Sequence, residues 1–115
     1  MEKFKLGLTG YADGRPHMIL CYNDVFVGYY SGHTVEKEHE CYYISYLNML
    51  DIYKGKGIAK EFINYIIDSL ILAGFTRYIQ LESYPNTIAF WEKFGFKVVD
   101  KKAGTPTCKV MILTL

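Results

Sequence analysis

What most constrains the fold of this chain is the hexapeptide Lys54-Gly55-Lys56-Gly57-Ile58-Ala59, because of its neighbours on either side. Before it runs an apolar and aromatic segment, Tyr42-Tyr43-Ile44-Ser45-Tyr46-Leu47-Asn48-Met49-Leu50. After it the spacing predicts a helix over 58–72. Lys60, Asn64 and Asp68 recur every four residues as a wet stripe, while Ile58, Phe62, Tyr65, Ile66, Leu70 and Ala73 cover the opposite side. Gly74 stands at the C-terminal stop, and Tyr78 to Glu82 reads as a short strand. Because a helix separates that strand from the one over 42–49, the two can lie parallel through a right-handed crossover. A strand that ends in a basic glycine turn and opens into a helix collects backbone N–H groups and the positive end of the helix dipole at one place. Such a junction suits a phosphorylated ligand.

The remaining elements follow from turn residues and alternation. Phe4 to Tyr11 is a strand ended by Asp13-Gly14, and His17 to Tyr22 is a second, closed by the two-residue hairpin signal Asn23-Asp24. Val25 to about His33 is a third, with Gly28 and Gly32 as bulges or points of close approach. Glu36 to Glu40 reads as a charged break. Past Glu82, Tyr84-Pro85-Asn86-Thr87 starts a shorter helix that carries Ile88, Phe90, Trp91 and Phe94 and stops at Gly95. Phe96 to Asp100 is a strand, Ala103 to Pro106 a loop, and Thr107 to Leu115 a last strand. Four strands, helix, strand, helix and two strands make an α+β or mixed α/β domain around one sheet.

At 115 residues the expectation is one domain over 1–115 with a single core. Half the residues are apolar, which excludes a disordered chain. A net charge of +1 with scattered basic residues argues against a nucleic-acid surface. No apolar run approaches the ~20 residues of a membrane span, and the first residues lack a signal-peptide pattern. Cys21, Cys41 and Cys108 form no CxxC spacing, so the expectation is a reduced, cytoplasmic chain with cysteines as small buried hydrophobes. His17, His33 and His39 have no metal-ligand spacing, so no metal is expected and each reads as a surface or turn residue. Eleven tyrosines suit strand faces that line a cleft or an interface.

Two familiar phosphate motifs fail at the turn. Neither Gly55 nor Gly57 begins a GxxxxGK[ST] loop, and Lys60 stands where a GxGxxG fingerprint needs its third glycine. The junction instead resembles the GNAT (GCN5-related N-acetyltransferase) superfamily signature [Q/R]-x-x-G-x-[G/A]. It matches at Gly57 and Ala59, with Lys54 in place of the usual Gln or Arg, which keeps the charge but loses the planar fork. A second block, Ala89-Phe90-Trp91-Glu92-Lys93-Phe94-Gly95-Phe96, resembles the family's later motif, which ends in an aromatic residue and then Glu-Lys-x-Gly-Phe. Phe26 to Tyr30 is similar to the family's central hairpin strand and residues 107 to 115 to its terminal strand, so the resemblance spans about residues 17 to 115.

The resemblance implies an abbreviated GNAT fold: a mixed, mostly antiparallel sheet of about 6–7 strands with two main helices and a splayed parallel pair that binds CoA. It implies acetyl-CoA as co-substrate and acetyl transfer to a primary amine on a small molecule or peptide. Backbone N–H groups of Gly55, Lys56, Gly57, Ile58 and Ala59, helped by the Lys54 and Lys56 side chains, would hold the pyrophosphate. Leu47, Asn48 and Met49 would hold the pantetheine arm, with the Met49 N–H as oxyanion donor. Asn86, Phe90, Trp91 and Lys93 join the CoA side. Glu82 is the first candidate for general base, ahead of Asp51 and the Glu36–Glu40 run.

This chain departs from the family in three places. Trp91 occupies the position where a tyrosine usually protonates the leaving thiolate; indole is no practical acid, so Trp91 reads as packing, and either another group, with Tyr84 the candidate, supplies the proton or the thiolate leaves unassisted. The family often has an asparagine about seven residues before the aromatic position, yet Tyr84 holds that place and Asn86 lies five before Trp91, where it also suits a helix start. One or two helices normally follow the first strand and wall the acceptor site, whereas only a turn at Asp13-Gly14 is available here, leaving the acceptor cleft open or closed by a partner. Two other readings stay open: a CoA-binding module that does not catalyse, and an interaction domain that forms a homodimer through its tyrosine-rich strands.

Overall fold

A computed structural model describes residues 3–12, 14–35, 38–99, 103 and 107–115. The chain runs β1 (Phe4–Ala12), β2 (Arg15–Tyr22), β3 (Val25–Val35), β4 (Glu38–Met49), α1 (Ile58–Leu72), β5 (Tyr78–Ser83), α2 (Ile88–Glu92), β6 (Lys97–Val98) and β7 (Lys109–Thr114). The strands hydrogen-bond in the order β1-β2-β3-β4-β5-β7-β6. The order of elements is the one the sequence predicts. The chain divides into two compact units, Met1–Gly32 with Tyr46–Asp68 and His33–Ser45 with Ser69–Leu115, and the divisions fall within β3, β4 and α1.

In the first unit, β1, β2 and β3 form an antiparallel meander. Ala12 pairs with Arg15, so Asp13 and Gly14 alone join β1 to β2 and no helix stands between them. At the β2–β3 turn Asn23 and Asp24 take φ of 49° and 66°, the left-handed pair that a two-residue hairpin needs. Between β2 and β3 the register shifts past Leu20, leaving Val27 as an extra residue. Gly28 follows it, where a Cβ would lie 2.5 Å from the Asn48 carbonyl oxygen. Only glycine allows that approach, and the Leu50 N–H then donates to the Val27 carbonyl at 2.8 Å. The apolar side of α1 meets this meander: Phe62 packs against Phe4 and Tyr30, with ring centroids 5.3 and 5.0 Å apart. Burying each such side chain contributes about 1.5–3 kcal/mol. Lys60, Asn64 and Asp68 are exposed, as their spacing predicts.

In the second unit, β4 and β5 are parallel over Cys41–Ile44 and Tyr78–Leu81. That ladder stops short of both strand ends, since β4 continues to Met49 and β5 to Ser83. β5 also pairs antiparallel with β7 over its whole length. Burial alternates along β5, so Ile79, Leu81 and Ser83 are buried and Tyr78, Gln80 and Glu82 share the half-buried face. Helix α1 ends in a Schellman motif: Gly74 has φ of 95°, its N–H donates to the Ile71 carbonyl, and the Phe75 N–H donates to the Leu70 carbonyl.

Several boundaries differ from the sequence reading. β4 begins at Glu38, so Glu38, His39 and Glu40 belong to the strand rather than to a charged break; Glu36 and Lys37 lie outside the described residues. Glu40, at least, keeps its charge exposed while its backbone belongs to the strand. A 3₁₀ turn, Asp51–Tyr53, separates β4 from the glycine turn. The second helix is shorter, a 3₁₀ turn over Pro85–Thr87 leading into α2, and β6 is reduced to Lys97–Val98. Asp100 and residues 104–106 of the expected strand and loop lie outside the described residues.

Candidate active site

The first unit carries the glycine turn. Tyr53 N–H donates to the Leu50 carbonyl at 2.8 Å and Lys54 N–H to the Asp51 carbonyl at 3.2 Å, which turns the chain out of β4. Gly55 and Gly57 then take φ of 76° and 79°, and around each the space a Cβ would enter holds nothing within 4 Å. Two left-handed glycines one residue apart leave a bare backbone that a ligand can approach closely. The first bond inside α1 runs from the Glu61 N–H to the Gly57 carbonyl, at 3.1 Å. The N–H groups of Ile58, Ala59 and Lys60 therefore lie in the opening turn, where no carbonyl within the helix can accept them. Among the side chains, Lys54 pairs with Asp51 at 3.1 Å on the surface and Lys56 is exposed. Of the strand residues before the turn, Met49 is buried, Leu47 half-buried and Asn48 exposed.

Two groups in this unit escaped the sequence reading. Glu61, in the first turn of α1, accepts from Lys3 Nζ at 3.1 Å and from Tyr22 Oη at 2.9 Å. The Lys3 ammonium foremost, then the Tyr22 hydroxyl, hold the Glu61 carboxyl below its ordinary value. His17, expected on the surface, is 9% exposed. Its ring stacks on Tyr46 at 3.8 Å, Nδ1 lies 2.7 Å from Ser31 Oγ, and Nε2 is buried with no hydrogen-bond partner among the described residues. The flat ring is accommodated by the stack on Tyr46 and by the Ser31 contact, which serves one of its two nitrogens.

The second unit carries the remaining candidates. Glu82 is half-buried on β5, its backbone paired with Val110. Ser83 Oγ and Thr87 Oγ1 both donate to the Tyr84 carbonyl, at 2.9 and 3.2 Å, and lie 2.7 Å from each other. This small network fixes the chain after β5, while the Tyr84 side chain is 63% exposed. Asn86 and Lys93 are exposed and Phe90 is half-buried. Trp91 is buried in an aromatic cluster with Phe90, Phe94 and Phe96, at centroid distances of 5.0, 6.3 and 5.5 Å. It packs, as the chemistry of indole suggests.

A recess of about 420 Å³ opens in the same unit, lined by His33, Thr34 and Val35 of β3, Tyr43 of β4, and Tyr78 and Gln80 of β5. The His33 and Tyr43 rings lie 5.4 Å apart. Burial, then Glu82 and then Cys108, push the Tyr43 phenol above its ordinary value. The sequence reading named none of these residues as a site. The available signal was the alternation Tyr78, Gln80, Glu82, a row of polar side chains on one face of a strand. Cys41 and Cys108 are buried and Cys21 half-buried, and none of the three is in a disulfide. Among the described residues, no group of three or more His, Cys, Asp and Glu side chains is placed to hold a metal ion.

Solved structures similar to this chain include acetyltransferases. One from Thermus thermophilus superposes with a TM-score of 0.71 at 24% identity, over 90% of this chain and 67% of that one. Arabidopsis thaliana Naa50, in complex with the bisubstrate analogue CoA-Ac-MVNAL, gives 0.68 at 27% identity, over 85% and 72%. The PaiA N-acetyltransferase of Thermoplasma acidophilum, in complex with coenzyme A, gives 0.70 at 16%, over 85% and 59%. No curated protein matches the sequence. The profile of the acetyltransferase (GNAT) family matches residues 2–96, a span that takes in the first hairpin as well as both motif blocks. The chain belongs to the acetyltransferase (GNAT) family.

Proposed function

We propose that this chain, as one domain over residues 1–115, is a cytoplasmic N-acetyltransferase that moves an acetyl group from acetyl-CoA to a primary amine. The observation that carries the reading is the pair of left-handed glycines, Gly55 and Gly57, with open space at both Cβ positions and the first turn of α1 directly behind them. In a GNAT chain this is a backbone cradle for a pyrophosphate. The residues fit acetyl-CoA, which supplies the activated acyl group.

The residues of the chain divide the work. N–H groups from Gly55 to Ala59 bind the pyrophosphate, with Lys54 and Lys56 adding charge. Leu47, Asn48 and Met49 hold the pantetheine arm by their backbone, and the Met49 N–H stabilises charge on the acyl oxygen, a contribution of roughly 3 kcal/mol for a preorganised donor. Asn86, Phe90, Trp91 and Lys93 belong to the same CoA side. Glu82 takes the proton from the acceptor ammonium. Tyr84, exposed beside a pinned carbonyl, is the group that can return a proton to the leaving thiolate. In the balanced reaction the amine nitrogen bonds the acyl carbon, the carbon–sulfur bond breaks, and the thiol and one proton are released.

Calorimetric titration with acetyl-CoA, followed by an amine panel read by thiol release, tests this reading. Saturable binding and turnover with at least one amine are expected. Absence of acetyl-CoA binding would sink it, and binding without any turnover would leave a CoA-binding module.

A further inference from the structure

The recess on the second unit differs in chemistry from the donor turn. Three of its six lining residues are flat rings: His33, Tyr43 and Tyr78. Thr34 and Gln80 are neutral hydrogen-bonding groups and Val35 is apolar. No lysine, arginine, aspartate or glutamate lines it among the described residues. Its volume falls in the range of small-molecule pockets. The Arg77 guanidinium lies 5.8 Å from the Tyr78 ring centroid, a contact that holds that ring in place.

Among the described residues, charge borders this face at two places, the Arg77 guanidinium against the Tyr78 ring and the Glu82 carboxylate further along β5. Tyr78, Gln80 and Glu82 share a face of β5, so the row that lines the recess continues, among the described residues of that strand, to one carboxylate. One carboxylate matches one ammonium, whereas a polyamine or an aminoglycoside brings several positive charges that need as many partners. The ring-lined part favours a flat, uncharged body, because stacked or edge-on rings attract beyond their burial. The Tyr43 phenol is held protonated by burial, so it offers a neutral hydrogen bond rather than a charge.

Resting on the acetyltransferase reading above, we infer that this recess is the acceptor subsite and that it selects a small monoamine with an aromatic body, whose ammonium is directed towards Glu82. The amine lies at the end of the row and the ring lies among His33, Tyr43 and Tyr78.

The test uses 2-phenylethylamine, butylamine and spermidine as probes of the whole chain. Saturation-transfer NMR without acetyl-CoA reads amine binding alone, and thiol release with acetyl-CoA reads turnover. Phenylethylamine should give a saturation-transfer signal, and its kcat/KM should exceed those of butylamine and spermidine by about tenfold or more. In Tyr78→Leu, which keeps an apolar body at that position, this preference should collapse while the calorimetric affinity for acetyl-CoA is retained. If Tyr78→Leu does not fold, Gln80→Leu takes its place with the same expectation. A preference for spermidine, or a phenylethylamine preference that survives both variants, overturns the inference. If acetyl-CoA does not bind, the acetyltransferase reading fails by itself. The NMR arm then still decides the recess: a phenylethylamine signal lost in the variants supports an aromatic-amine site, and no signal overturns it.

Discussion

The glycine turn of the first unit, proposed to hold the donor, and the recess of the second, proposed to take the acceptor, are built in opposite ways. The turn presents backbone: two glycines at φ of 76° and 79°, and the N–H groups of the first turn of α1, which have no acceptor within the helix. Its residues are contiguous, and almost no side chain chemistry is needed beyond the absence of Cβ atoms. The recess presents side chains from three strands, His33 to Val35, Tyr43, and Tyr78 with Gln80. Backbone sites tolerate few substitutions and bind whatever carries the common group. Side-chain sites can be rebuilt residue by residue, which suits the half of a transferase that distinguishes substrates.

The largest effect should come from adding a Cβ where backbone meets backbone. At Gly28 a Cβ would sit 2.5 Å from the Asn48 oxygen and 3.0 Å from the Met49 Cα, neither of which is the far end of a flexible side chain. Gly28→Val should lower stability by about 3 kcal/mol or more, read as a large drop in melting temperature. A variant that melts like the parent would show that β3 and the end of β4 are not held this closely. Next in size, Glu82→Gln should lower kcat by about a hundredfold while acetyl-CoA affinity stays the same. An equal loss of acetyl-CoA binding would place Glu82 on the donor side and dissolve the contrast.

This contrast also explains what could be read from the sequence. The helix over 58–72, its wet stripe at Lys60, Asn64 and Asp68, and the Asn23-Asp24 hairpin were all legible, because periodicity and turn chemistry are local. The turn itself was legible for the same reason, since Gly57 and Ala59 fall within six residues. The recess was not, because Val35 and Tyr78 are far apart in the chain and become neighbours only through strand order. His17 was misread as a surface residue because nothing around it in sequence announces Tyr46 and Ser31 as neighbours. Charge misled the reading at Glu38 to Glu40, where β4 carries the residues as strand.

A paired substitution separates strain from ligand contact at the turn. Gly14 and Gly57 have similar φ, 71° and 79°, and neither Cβ position has a neighbour within 4 Å. Gly14→Ala and Gly57→Ala should therefore lose similar stability, roughly 1–2 kcal/mol each for a residue held left-handed. Only Gly57→Ala should weaken acetyl-CoA binding, by about tenfold, equivalent to about 1.4 kcal/mol. Equal affinities in the two variants would leave Gly57 as a turn residue and nothing more.

The smallest effect belongs to Glu61, and its sign is fixed by three shifts. Glu61 is held below its ordinary 4.5, first by the hydrogen bond from Lys3 and then by that from Tyr22. A lowered carboxyl contributes stability that is present above pH 4.5 and is lost as the pH falls through the folded-state value. The hydrogen bond to Glu61 raises Lys3 above 10.5 and Tyr22 above 10.0. Raised groups contribute below those values, and the contribution is lost as the pH rises past the folded-state ones. The cluster therefore steadies the start of α1 across the neutral range and fails at both extremes. All three groups sit at the surface, so added salt weakens the ionic part of the interaction. Comparing melting temperatures of the parent and Glu61→Gln, the gap between them should be present at about pH 7 and close towards about pH 3. A gap that persists unchanged into acid would mean that Glu61 matters for its shape rather than its charge, and the charged start of α1 would then lend no electrostatic support to the turn proposed to hold the donor.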